Sequence, residues 1–232
     1  MPPEDSVQFA VDPWWTRDDR QSPDRGRLLI SFVPYPEQEP RRLVVEGRAE
    51  PREHERARFR VEPFRIGDRL PPAGLPVAGL PQPAGEEYLV YRGKFRPVVV
   101  VSEGGPDIPG GLRTGGARWQ TAPTLLVAPY YGVDPDGTRG GWRPEFVRRI
   151  RRAEYPQYVW DALPIRGPKE SVLRLDHAFP VARNPAAFRA TEHRLSSDGL
   201  GVLDEWLTWL VRGTLEANSL LAYIRTQLLA MP

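Results

Sequence analysis

Few side chains in this sequence are equipped for chemistry, and they fall between Lys94 and His177. His177 follows Asp176 directly, so an imidazole that titrates near neutral pH stands beside a carboxylate, and a strand through both places them on opposite faces. It can act as base or acid, or serve as a hydrogen-bonded histidine at a strand end. Arg96 and Lys94 open an apolar run and supply cations that can hold a phosphate or simply face solvent. Tyr130 and Tyr131 can stack on bases, donate to phosphate through their hydroxyls, or pack in a core. Arg148, Arg151 and Arg152 share one side of a predicted helix, a face that can track phosphates, anchor an acidic partner or remain solvated.

Other chemistries are excluded or weak. Cysteine is absent, which removes disulfides, thiolate metal sites and cysteine nucleophiles. Three histidines, His54, His177 and His193, are too scattered for an imidazole metal centre, so neither metal nor cofactor is expected. Asp134, Asp136, Asp161 and Asp176 could suggest a carboxylate site, but Asp134-Pro135-Asp136-Gly137 reads first as a turn. The glycines at 104–105 and 110–111 lack a following Gly-Lys-Ser/Thr, and no serine-hydrolase elbow occurs. No apolar stretch approaches the ~20 residues that span a bilayer, and no secretory leader is visible, so a cytoplasmic location without membrane contact is expected. Net charge is only +2, and of 32 basic residues all but Lys94 and Lys169 are arginine. Genome composition explains that bias as readily as phosphate binding does.

The elements that must position these groups are short strands followed by helices. Strands are predicted at 28–33, 43–46, 57–62 and 88–91. The run Phe95 to Ser102 contains four consecutive valines, as in a strand buried on both faces, and Thr124 to Tyr131 should be its neighbour. A helix is predicted over 144–153, then strands at 158–160 and 171–176. Leu200, Leu203, Trp206, Leu207, Leu210 and Val211 define a terminal helix capped by Ser196 or Ser197; Gly213 separates it from a second helix over 215–229. Residues 70–85 read as an extended Pro/Gly loop, and Trp14-Trp15 as the docking handle of a polar arm.

Several of these segments resemble the MazF/PemK toxins, small SH3-like barrels that cleave messenger RNA in toxin–antitoxin pairs. Arg25-Gly26-Arg27-Leu28-Leu29-Ile30 is similar to that family's opening strand, Arg96-Pro97-Val98-Val99-Val100-Val101 to its Arg-Pro-Val strand, Tyr155 to Val159 to its proline-led strand, and Ser171 to Asp176 to its Ser-to-Asp strand. Arg194-Leu195 and the helix from Leu200 match its ending. The resemblance implies an α+β chain, mainly β: a small SH3-like antiparallel barrel over 26–195 with an insertion at 37–87, a preceding arm at 1–25 and packed helices at 196–232. It implies metal-independent endonucleolytic cleavage of single-stranded RNA to cyclic-phosphate ends. If the chain is catalytic, Arg96 would stabilise the phosphate and Tyr130 or His177 would handle protons, while Lys94, Tyr131, Arg148, Arg151 and Arg152 are the residues expected to bind RNA. An antitoxin or neighbour-encoded protein and a second copy of the chain are its implied partners. The family's threonine position falls near Tyr130, and its Asp-Gln-Ile-Arg-Thr reads Asp176-His177-Ala178-Phe179-Pro180. Those departures motivate the alternative of a catalytically silent binding module within a protein assembly.

Overall fold

Val98, Val99, Val100 and Val101 are all buried, as an uninterrupted valine run requires, and the largest sheet is built outward from them. The computed structural model describes residues 2–70, 84–113, 115, 121–133, 141–165 and 170–232. Most of the Pro/Gly loop at 70–85, the Asp134 to Gly137 turn and part of the 104–116 loop lie outside them. The chain separates into two compact units, Met1–Phe32 with Phe95–Pro232, and Val33–Lys94.

Among the described residues the chain forms α1 (Val7–Ala10), β1 (Trp15–Arg17), β2 (Arg27–Pro34), β3 (Arg41–Glu50), β4 (Glu53–Pro63), β5 (Leu89–Val90), β6 (Gly93–Ser102) and β7 (Thr124–Gly132). Then come α2 (Pro144–Arg151), β8 (Tyr158–Asp161), β9 (Ser171–Arg174), β10 (Phe179–Ala182), β11 (Phe188–Leu195), α3 (Ser197–Arg212) and α4 (Leu220–Ala230). The large sheet runs β1-β11-β2-β6-β7-β9-β8, with β10 paired to β7, and curls as an antiparallel half-barrel. The chain is thus mainly β with helices. No helix among the described residues is long and apolar enough to cross a membrane.

One face of the curl carries Leu28, Val99, Val101, Ala128, Tyr130 and Leu173, covered by Trp206, Leu203, Leu221 and Ile224 of α3 and α4. Fully burying side chains of this size contributes about 1.5–3 kcal/mol each, so this face holds the helices. Ser196 caps α3 by accepting from the Gly199 amide at 3.0 Å, and Gly213 ends it in a left-handed conformation. Helix α4 starts at Leu220, later than the apolar pattern suggests, because Ser219 is its cap and the Glu205 carboxylate accepts from the amides of Leu220 and Leu221 at 3.1 and 2.7 Å. On the opposite face Val147 and Ile150 of α2 close a smaller core over Trp160 and Val172.

The N-terminal segment is more than an arm. β1 pairs with β11, and Arg27, fully buried, donates to the Asp18 carboxylate at 2.8 Å and to the carbonyls of Asp18 and Ser22. Trp14 is buried and both tryptophans anchor on Asp161, as the docking handle predicted. In the other unit, β3 and β4 form a hairpin with Leu43 opposite Val61 and Val45 opposite Phe59, and β5 adds a third strand. β3 and β4 are longer than the predicted 43–46 and 57–62 and are joined by a turn of only Pro51-Arg52, whereas β5 is shorter than the predicted 88–91.

Candidate functional site

The register of β6 and β7 decides which side chains meet. Val98 lies opposite Pro129 and Val99 opposite Ala128, so Arg96 falls beside Tyr131, and its guanidinium sits 4.4 Å from the centre of that ring. Tyr130, one residue earlier, points to the other face. It is buried, and its hydroxyl donates to Asp161 Oδ2 at 2.9 Å. Burial, together with that carboxylate, raises the Tyr130 hydroxyl well above its ordinary pKa. The expected catalytic role of Tyr130 therefore has no place in this geometry; Tyr131 is the tyrosine that Arg96 reaches.

The Ser171 to Asp176 strand ends early, at Arg174, and a single 3₁₀ turn over Leu175–His177 follows. That turn corrects the expected opposition of Asp176 and His177, because both gather around Arg174. Arg174 donates from Nε and Nη2 to the two oxygens of Asp176 at 2.8 and 2.7 Å, and from Nη2 to His177 Nε2 at 2.6 Å. A guanidinium has no acceptor, so Nε2 is the lone-pair nitrogen, the imidazole is neutral, and Nδ1–H donates to the Tyr131 hydroxyl oxygen at 3.0 Å. The Tyr131 proton is thereby directed away from the histidine. Partial burial pushes the Asp176 carboxyl up, but Arg174 more than offsets it and holds it below the usual carboxylate value.

The result is a partly buried cluster in which Arg96, over the Tyr131 ring, and Arg174, paired with Asp176, flank the Tyr131–His177 pair. Its donors suit an oxyanion, and the Tyr131 O–H is a proton source within the same group. Among the described residues no three His, Asp or Glu side chains gather to hold a metal ion. Asp161 and Asp176 lie on opposite sides of the sheet. Asp161 is fully enclosed by Trp14, Trp15, Tyr130 and Gln8, and burial pushes its carboxyl up to about 6 against those hydrogen bonds.

The arginine helix departs from expectation. Arg151 Nη2 binds Asp5 at 3.1 Å, and Arg152 donates to the backbone oxygens of Met231 and Pro232 at 3.1 and 2.6 Å. Both side chains are largely covered, so they tie chain segments together and do not form a phosphate track. Arg148 is exposed on α2. Lys94 is exposed at the start of β6 and belongs to the other unit.

Arg174 and Tyr158 belong to the cluster without being among the residues expected from the sequence. Cross-strand pairing sets Tyr158 opposite Arg174, whose guanidinium lies 4.8 Å from the ring centre. The available signal was the Arg-x-Asp-His spacing of residues 174–177, which lets one guanidinium reach both following polar side chains through a tight turn. No protein-family profile, curated protein or solved structure matches the chain.

Proposed function

We propose that this chain acts on single-stranded RNA as a MazF/PemK-like, metal-independent endoribonuclease, with Arg96, Arg174, Tyr131 and His177 as its centre. The observation that carries the reading is the pair of guanidiniums flanking the Tyr131–His177 hydrogen bond. Arg96 and Arg174 would hold the non-bridging oxygens as charge builds on phosphorus. The ribose 2′-oxygen attacks, its proton leaves to water, and the bond from phosphorus to the 5′-oxygen breaks as Tyr131 protonates that oxygen. His177 is a positioning residue, orienting the Tyr131 hydroxyl through Nδ1–H. Water returns a proton to Tyr131, and the products are a cyclic phosphate and a 5′-hydroxyl.

A second reading, the catalytically silent binding module, is favoured by one feature. Both His177 nitrogens are engaged and Asp176 is clamped by Arg174, so the cluster binds an anion more evidently than it abstracts a proton. Purified protein incubated with a long mixed-sequence RNA in EDTA separates the two. Cleavage should give cyclic-phosphate ends and fall at least about 100-fold in both Arg96→Ala and Tyr131→Phe, the loss expected when one donor to a developing charge is removed. Intact RNA that still binds in an Arg96-dependent way supports the silent module. Cleavage unchanged in Arg96→Ala refutes the assignment of the site.

A further inference from the structure

The guanidinium–ring contacts do not stop at Tyr131. On the same side of the sheet Arg174 lies against Tyr158, whose ring meets Phe146 edge-on at 5.6 Å and Trp142 edge-on at 5.8 Å. Trp142 and Phe146 are stacked 5.3 Å apart with planes 3° from parallel, Tyr155 packs 5.4 Å from Phe146, and Arg149 lies 5.0 Å from the Tyr155 centre. These four aromatic residues roof the small core beneath α2, yet each remains partly exposed. A roof needs only apolar bulk. Here it is built of flat rings, bordered by Arg174, which pairs with Asp176, and by Arg149, which pairs with Glu154 at 2.7 Å, and joined through Arg174 to His177 and Tyr131.

We infer that this aromatic shelf is a base-binding subsite, on which an unpaired base stacks next to the nucleotide whose phosphate lies at Arg96 and Arg174. Cations that border ring faces match a strand that alternates phosphates with bases, and stacking of a base on an aromatic side chain contributes about 1–3 kcal/mol. Bases within a duplex present their edges, not their faces, so the shelf selects single strands. The inference rests on the proposed phosphate site and adds to it the substrate feature that is read beside that site. Trp142, which precedes α2 and stacks on Phe146, is the residue to test.

Two probes of equal length and charge distinguish the claims: a short 2′-O-methyl oligouridine, which cannot undergo 2′-oxygen attack, and the same backbone without bases. Wild-type protein should bind the base-bearing probe at least about fivefold more tightly, the lower end of the effect of one stacked base. Trp142→Ala should erase that preference while leaving affinity for the baseless chain unchanged, and Trp142→Phe should restore it. Equal affinity of wild type for both probes overturns the shelf while leaving the phosphate site standing. A preference that survives Trp142→Ala, or a variant that loses both probes alike, overturns it too. Failure of wild type to bind either probe defeats the phosphate site and the shelf together.

Discussion

Two adjacent tyrosines have opposite fates because a strand alternates its side chains. Tyr131 faces Arg96 and His177, whereas Tyr130 is enclosed with Asp161, which also accepts from Trp14 at 3.1 Å and Trp15 at 2.9 Å. A carboxylate there is costly when charged, and the folded pKa of about 6 lies above the ordinary 3.8. The folded state therefore binds the proton more tightly than the unfolded chain does. Stability should rise as pH falls below about 7, by about 1 kcal/mol at pH 5 and about 2 kcal/mol at pH 4 for this separation of pKa values. Below that window, carboxyls held low by arginines, Asp18 and Asp176, act in the opposite direction. Urea unfolding of wild type at pH 7.5 and pH 5 should show the gain, and Asp161→Asn, which does not titrate, should lose it. An Asp161→Asn protein with the wild-type slope would remove Asp161 as its source. Asp161→Ala leaves several buried donors without an acceptor and should cost about 3 kcal/mol or more at either pH.

At the scale of elements, the close approach of strands depends on a few backbone positions. Gly104, just beyond β6, has φ +74°, and a Cβ there would lie 2.0 Å from the Thr124 carbonyl oxygen at the start of β7. Gly104→Ala adds the penalty of a left-handed alanine to a backbone collision and should destabilise the chain by at least about 2 kcal/mol, read as a lowered urea midpoint with unchanged m-value. A midpoint within a few tenths molar of wild type would contradict that. The valine strand, α2 and α3 were legible because burial on both faces, Pro144 and a capped apolar stripe each have a sequence signature. β11 was not. Its Phe188-Arg189-Ala190 begins a period of two, and the register then shifts between Ala190 and Arg194, so the pattern is lost midway. The candidate site was half legible for the same kind of reason. Arg96 follows from the Arg-Pro-Val run, but the choice between Tyr130 and Tyr131 needs the strand's phase. The engagement of Arg151 depends on Asp5, far away in sequence.

The whole molecule consists of two compact units, the second of them interrupting the first between Phe32 and Phe95. The β2 and β6 strands that flank the interruption are neighbours in the large sheet, and the Phe32 and Phe95 rings meet edge-on at 5.8 Å. The two cut ends of the first unit are thus already side by side. They can be joined by a short hairpin turn such as Asn-Gly without moving either strand. Every group in the cluster, Arg96, Tyr131, Arg174, Asp176 and His177, belongs to the first unit, as do the two cores that position them. Replacing residues 33–94 by such a turn should therefore give a chain that unfolds cooperatively, with a melting temperature within about 4 °C of the parent, the shift of about 1 kcal/mol in a chain of this order. Affinity for a baseless phosphate chain should be reduced no more than severalfold, reflecting the loss of Lys94 and the arginines of the β3–β4 hairpin from the general field. Circular dichroism melting and anisotropy binding of the excised chain read both quantities. An excised chain that lacks a cooperative transition would mean that the first unit does not fold without the second, whereas one that folds but no longer binds would place the phosphate-holding groups in the hairpin unit instead of on the sheet.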